Sequence, residues 1–185
     1  MKHGLRVAGA GVALFSLAAW WAARTSPPTA VSARDAALLR TLDEIFRSRN
    51  DNDPRLDSDF NDLSPGAKRL LRSKCAGLPR ELRNERGTIV YLIGRSASSP
   101  EDWAFLREAA GEPPCLSLAD CSVAAPAGLG DEVTLAYPAL VALKQAQAAL
   151  QAGRAVEQAR SVIEAGKKSR VPAVVRLAEV AAKVD

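Results

Sequence analysis

The stretch Ser64–Gly77, SPGAKRLLRSKCAG, carries a full set of helix signals in fourteen residues. Ser64 is a favoured N-cap because its hydroxyl can accept a hydrogen bond from a free amide of the first turn, and Pro65 suits the first helical position. The apolar residues share one face at helical spacing: Ala67, Leu70, Leu71 and Cys75. Because Gly77 follows this face, the stretch predicts an amphipathic helix that ends there.

The same signals recur on both sides of this helix. Ser32 precedes an apolar pattern and has Asp35 in capping-box position, and Ser99-Pro100 repeats the chemistry of Ser64-Pro65. Ile89–Ile93, IVYLI, would also suit a strand, but the helical period before it favours a helix. About seven helices are expected, at residues 33–48, 65–76, 79–93, 100–110, 138–152, 154–165 and 172–184.

The composition agrees with an all-α fold. Hydrophobic residues make up 48% of the chain but aromatic residues only 5%, so the core must consist mainly of Ala, Leu, Val and Ile. Alanine has the highest intrinsic helix propensity. No pair of strands is predicted.

One segment resembles a known helical family. Asn84–Ala110, NERGTIVYLIGRSASSPEDWAFLREAA, has a charged-then-apolar run ending in Leu92-Ile93-Gly94, a Ser99-Pro100 joint and an apolar pair, Phe105-Leu106. This order resembles the boundary between helices of a HEAT-type repeat. The resemblance implies antiparallel helical hairpins in a short solenoid and a non-catalytic scaffold that binds proteins on a concave face. Uneven segment lengths depart from a fixed repeat, so an irregular helical bundle is the alternative.

The N-terminus predicts export. A basic start is followed by an uncharged run over residues 7–23, VAGAGVALFSLAAWWAA, which is a signal peptide or an uncleaved membrane anchor. The expected divisions are a leader at 1–24, a linker at 25–32, a helical part at 33–111, an irregular loop at 112–131 and a second helical part at 132–185. We expect the domain to lie outside the cytoplasmic membrane, anchored in the cell envelope, or periplasmic or secreted after cleavage.

The positive charge argues against a nucleic-acid partner. The net charge is +4, but Lys2, Arg6 and Arg24 lie in the leader, and the remainder has 22 basic and 21 acidic residues. Nucleic-acid binding needs basic residues clustered on the folded domain. The partner expected instead is a protein in the envelope, together with the membrane if residues 7–23 are retained.

The cysteines fit an oxidising compartment. Cys115 and Cys121 bracket the short segment CLSLADC, and a disulfide between them would pin the irregular loop. Two free thiols are the alternative. Cys75 lies on an apolar helix face and is expected to be a small core residue. Zinc is disfavoured, because the only histidine is His3 in the leader.

The stretch Arg49–Ser64, RNDNDPRLDSDFNDLS, offers weak calcium ligands in Asp51, Asp53, Asp57 and Asp59. If an EF-hand loop began at Asp51, Arg55 would occupy a ligand position and Leu56 the position that requires glycine. If the loop began at Asp57, Asp62 would occupy the glycine position. The favoured interpretation is therefore a hydrated connection with Asx-turns.

Catalytic chemistry has little support. A serine or cysteine nucleophile needs a base, usually histidine, and none lies outside the leader. Glu81 with Glu85, and Glu108 with Glu112, are spaced for one helix face, which keeps an exported hydrolase or calcium-binding protein as the alternative function. No cofactor is expected.

The region 65–110 is rich in arginine. Among the arginines that make it so are Arg69, Arg72, Arg83, Arg86, Arg95 and Arg107. Arg83 and Arg86 are the candidate partner-binding residues, suited to an acidic partner or lipid head groups. The sequence thus predicts a non-catalytic helical scaffold.

Overall fold

The computed structural model describes residues 31–124 and 132–183 of the chain. These residues form helices and no strand. The helices are α1 (Ala33–Ser48), α2 (Arg55–Ser58), α3 (Pro65–Gly77), α4 (Arg83–Arg95), α5 (Pro100–Ala110), α6 (Glu132–Leu135), α7 (Tyr137–Gln151), α8 (Val156–Lys167) and α9 (Pro172–Ala181). The all-α prediction is confirmed, and the predicted leader lies outside the described residues.

Each of the seven predicted helices is present. The two helices that the sequence analysis missed, α2 and α6, are four residues long, too short to show a hydrophobic period. The IVYLI run lies inside α4, which begins at Arg83 rather than near Pro79. Residues 79–82 instead form the turn that joins α3 to α4, with a hydrogen bond from the Leu82 amide to the Pro79 carbonyl.

Serine N-caps begin α1, α3 and α5, as their sequences predict. The hydroxyls of Ser32, Ser64 and Ser99 accept hydrogen bonds from the amides three residues further on. Asp35 does more than cap its own helix: its carboxylate accepts a hydrogen bond of 2.7 Å from the Ser64 hydroxyl. The starts of α1 and α3 are therefore joined by one side-chain bond.

Buried apolar side chains form two clusters that meet at α4. The N-terminal cluster joins α1, α3 and the segment between them to Ile89, Leu92 and Ile93. The C-terminal cluster joins α5 and α7–α9 to Val90. Successive residues of α4 thus face different clusters. The division between the clusters falls at α4, and α5 packs with the helices that follow the 112–131 loop.

The arrangement is a bundle around α7. This helix packs against α4, α5, α8 and α9, so it contacts elements far from it in sequence. In a solenoid each repeat contacts only its neighbours. Alanines line the buried face of α7: Ala139, Ala142, Ala146 and Ala149. Their small side chains allow the surrounding helices to approach closely.

The acidic stretch before α3 is more than a hydrated connection. Its polar residues form the expected local turns, with the Asn52 amide bonded to the Asn50 side chain and the Arg55 amide to Asp53. However, Leu56, Phe60 and Leu63 are buried in the N-terminal cluster. The predicted hydration concerned the Asp and Asn residues, and it did not foresee that these three apolar side chains pack into the core with α1 and α3.

Candidate binding groove

A groove of about 1040 Å³ lies between α3 and α5. On the α3 side it is lined by Arg72, Cys75 and Ala76, which are spaced to share one helix face. The α5 side contributes Glu101, Ala104, Phe105, Arg107, Glu108 and Ala109. The two helices do not pack extensively against each other in the described part of the chain. The space between them is therefore open to a ligand.

One end of the groove is closed by a buried ion cluster around Asp102. Its carboxylate accepts hydrogen bonds from Lys68 Nζ at 2.9 Å and from Arg72 Nη1 at 2.6 Å. The amides of Ser98 and Ser99 donate to the same carboxylate, so it also caps α5. This cluster fixes the N-terminus of α5 to the first half of α3.

Burial and hydrogen bonding act in opposite directions on Asp102. Burial raises the pKa of its carboxyl, but the Lys68 ammonium and the two amides favour the ionised form more strongly. The net effect is a pKa below the usual value for aspartate. Asp102 is therefore a carboxylate at neutral pH.

Glu112 closes the other end of the groove. Its two carboxylate oxygens each lie 2.8 Å from Arg86 Nη2, and Arg80 Nε lies 3.3 Å from one of them. Arg86 also donates to the main-chain carbonyls of Cys75 and Leu78 at the end of α3. The pair thus joins the C-terminal ends of α3 and α5.

Between these ends, the floor of the groove is apolar. Phe105 is half-buried and packs against both hydrophobic clusters, and Val90 and Ala109 are buried beside it. Cys75 is buried and, among the described residues, is the one cysteine outside the Cys115–Cys121 pair. Burial raises the pKa of the Cys75 thiol, with a further contribution from Glu112 that Arg86 opposes. The thiol is therefore protonated and unreactive at neutral pH.

Exposed charges border this floor. Glu101, Arg107 and Glu108 are exposed and make no ion pair within residues 31–124 and 132–183. The Arg80 side chain is 40% exposed despite its contact with Glu112. An apolar floor with a charged border is typical of a surface that binds a ligand with both apolar and ionic groups.

The predicted partner-binding arginines have structural contacts. Arg83 is buried, and its guanidinium donates to the carbonyl oxygens of Leu118 at 2.8 Å and Ser117 at 3.4 Å. Arg86 lies at the Glu112 end of the groove. A direct role of Arg86 in partner binding stays a prediction. The contacts of Arg83 hold the 115–121 loop against the start of α4.

The predicted cysteine pair is brought together. The sulfur atoms of Cys115 and Cys121 lie at bonding distance, and both residues are buried. Glu81 accepts a hydrogen bond of 2.9 Å from the Cys121 amide, which lowers the pKa of its carboxyl. The loop is therefore pinned by Glu81 and Arg83, neither of which the sequence analysis assigned to this role.

The four weak calcium candidates do not form a ligand cluster in the described residues. Asp51, Asp53 and Asp57 line a separate depression of about 660 Å³ between Tyr91 and Tyr137. Asp53 pairs with Arg55 and Asp57 with Arg95, while Asp59 accepts from Ser58. Across the described ranges, no three acidic, cysteine or histidine side chains are grouped as metal ligands.

Arg86 and Glu112 were named from the sequence, but the contacts that close the two ends of the groove were not predicted. Asp102 was predicted only as part of a helix start, and Lys68 was not assigned a functional role. The position of Lys68 in the sequence does indicate burial. Lys68 precedes Leu71 by three residues and Cys75 by seven, so it lies near their apolar face. A lysine there needs a buried acidic partner. The spacing of Glu112 from Glu108 indicates a shared helix face but gives no sign of its contacts with Arg80 and Arg86.

Comparisons with protein-family models, curated proteins and solved structures find no match for this chain. The HEAT resemblance therefore remains a prediction. Among the described helices, none combines the length and apolarity needed to cross a membrane. The predicted signal peptide or anchor at residues 7–23 lies outside the described residues.

Proposed function

We propose that this protein is a non-catalytic helical scaffold of the cell envelope, exported or membrane-anchored, that binds a partner protein in the groove between α3 and α5. The observation that carries the proposal is the groove itself: a space of about 1040 Å³ with an apolar floor and an ion cluster at each end. Such a site binds by burying apolar surface, while the charged border adds orientation.

The ion clusters support a preformed site. Because Asp102 and Glu112 each bridge α3 or α4 to α5, the distance between the walls is set before a partner arrives. A preformed site avoids the cost of ordering its own walls on binding. This favours a binding function over the view that the groove is a packing defect.

A photo-crosslinking residue in place of Ala76 tests the proposal. Ala76 is exposed and lines the groove, so a benzophenone side chain there should capture the partner in cells that make the full-length protein. The matched control is the same substitution at Ala148, an exposed alanine of α7 that lies outside the groove. Capture of one protein from position 76 and not from position 148 supports the proposal.

Blocking the groove provides the second test. Ala104→Trp adds an indole on the α5 wall and should abolish capture from position 76 while the fold is preserved. Equal capture from both positions, or capture that survives Ala104→Trp, would place the partner elsewhere and reject the groove as its site.

A further inference from the structure

The walls of the groove restrict what can bind there. Small residues line both sides, with Ala76 on α3 and Ala104 and Gly111 on or beside α5. Packed helices have their axes about 8–10 Å apart, and the distance depends on the side chains at the contact. A third helix laid between α3 and α5 would therefore meet small residues on both walls, with Phe105 in the floor and the charged side chains at the border.

The length of the groove fits a short helix. Asp102 and Glu112 are ten residues apart, which corresponds to about 15 Å along a helix axis at 1.5 Å per residue. A parallel helix of about three turns spans this distance and presents apolar residues at i, i+3, i+4 and i+7 to the floor. Phe105, which packs against both clusters, lies in the floor that this apolar face would contact.

The charge of the groove is unbalanced. Four arginines line it against three glutamates, so its lining has a net charge of +1. The excess positive charge lies at the Glu112 end of the groove, where Arg80 and Arg86 share a single carboxylate. Arg86 is largely buried, but Arg80 is 40% exposed and its Nη1 makes no hydrogen bond within the described residues. Arg80 can therefore bind a second carboxylate.

We propose that the occupant of this groove is an amphipathic helix of the partner protein, with its apolar face against Phe105 and an acidic side chain beside Arg80. This inference rests on the proposed function and specifies the chemistry of the partner. Helix-in-groove binding uses apolar residues for affinity, and a charge at one end sets the direction of the bound helix.

The site of the crosslink on the partner tests this inference. Adducts formed from benzophenone at position 76 in the full-length protein are digested and mapped by mass spectrometry. We expect them within one segment that has apolar residues at helical spacing and an Asp or Glu at one end. Adducts on lipid, on a second copy of this chain, or on an extended or basic segment would overturn the helix inference. They would still show that the groove captures a molecule. No adduct at all would reject the proposed function too.

A synthetic peptide of the mapped segment tests the helix and the charge separately. A central proline in the peptide should abolish its binding to the full-length protein, as measured by fluorescence anisotropy, because proline interrupts the helix. Binding that tolerates proline would show an extended occupant.

Arg80→Glu should weaken peptide binding about fivefold to tenfold, the range expected for a partly exposed ion pair whose sign is reversed. Replacing the acidic residue of the peptide with Lys should restore the loss. Arg160→Glu on the exposed side of α8 is the matched control and should have no effect. Arg80→Gln, which keeps a polar side chain near Glu112, separates loss of charge from loss of structure. Unchanged affinity in both Arg80 variants would overturn the charge assignment.

Discussion

Lys68 Nζ lies 2.9 Å from a carboxylate oxygen of Asp102, and the two side chains are only 7% and 1% exposed. Lys68 also donates to the Ser96 carbonyl and the Ser98 hydroxyl, so the buried ammonium has hydrogen-bond partners in the loop before α5. This ion pair connects α3 to α5 at one end of the groove. It links the stability of the bundle to the geometry of the proposed binding site.

Removing one partner of this pair should be strongly destabilising. Asp102→Ala leaves the Lys68 ammonium buried without a counter-charge and removes the acceptor of the Ser98 and Ser99 amides, and we expect a loss of about 3–5 kcal/mol in the free energy of unfolding. Urea denaturation followed by circular dichroism measures this. Asp59→Ala, at an exposed aspartate, should change stability by about 0.5 kcal/mol or less. The double variant Lys68→Met/Asp102→Ala should lose less than the two single losses added together; simple additivity would contradict the pairing.

The protein should lose stability at acid pH through its buried carboxylates. Hydrogen bonds with Ser64 lower the pKa of Asp35, and the Lys68 ammonium and two amides outweigh burial to lower that of Asp102. Since their pKa values are lower in the folded state, the unfolded chain binds protons first. Their contribution is complete above the unfolded pKa, about 4, and is lost as the pH falls through the folded values.

The check is the free energy of unfolding between pH 7 and pH 2.5. Asp102→Asn cannot ionise, so its stability should fall less steeply below pH 4 than that of the unchanged protein. Parallel curves for the two proteins would show that Asp102 does not contribute to the acid dependence.

The cysteine pair predicts a defined thiol count. If Cys115 and Cys121 are bonded, the denatured protein purified without reductant has one reactive thiol, that of Cys75, and reduction raises the count to three. Cys115→Ser should then lower the free energy of unfolding by about 2 kcal/mol, the chain-entropy value for a short loop. Three thiols before reduction would show that the pair is not oxidised.

Arg83 should control the mobility of the loop. Arg83→Met keeps the apolar stem of the side chain but removes the donors to Ser117 and Leu118, and we expect a loss of about 1.5–3 kcal/mol. Chymotrypsin should then cut faster near Leu116 and Leu118, which are already about half exposed. Arg160→Met, at an exposed position of α8, is the control. Equal cleavage rates in the two variants would remove Arg83 from this role.

Two glycines at helix positions should respond oppositely to alanine. A methyl group at Gly166 would lie 2.8 Å from a methyl carbon of the buried Leu143, and overpacking of this kind costs about 1–3 kcal/mol. At Gly77 the added methyl meets nothing within 4 Å, so the higher helix propensity of alanine should stabilise by up to about 1 kcal/mol. Thermal melting of both variants tests this. A stabilised Gly166→Ala would contradict the close packing of α7 and α8.

The local elements of this protein could be predicted from its sequence because their signals are local. Ser64-Pro65 and Ser99-Pro100 satisfy the free amides of the helices they begin, and this depends only on residues within one turn. The apolar faces of the long helices likewise repeat within a few residues. The four-residue α2 and α6 were missed because so short a segment carries no period.

The candidate site depended on the tertiary structure. Asp102 meets Lys68 across 34 residues, and Glu112 meets Arg86 across 26, so no spacing in the sequence predicts either contact. The sequence by itself determined an all-α chain, the serine-capped starts of α1, α3 and α5, and the close spacing of Cys115 and Cys121. Only the tertiary structure decided that α3 and α5 stand apart, because that separation results from ion pairs between distant helices and from the two cores that meet at α4.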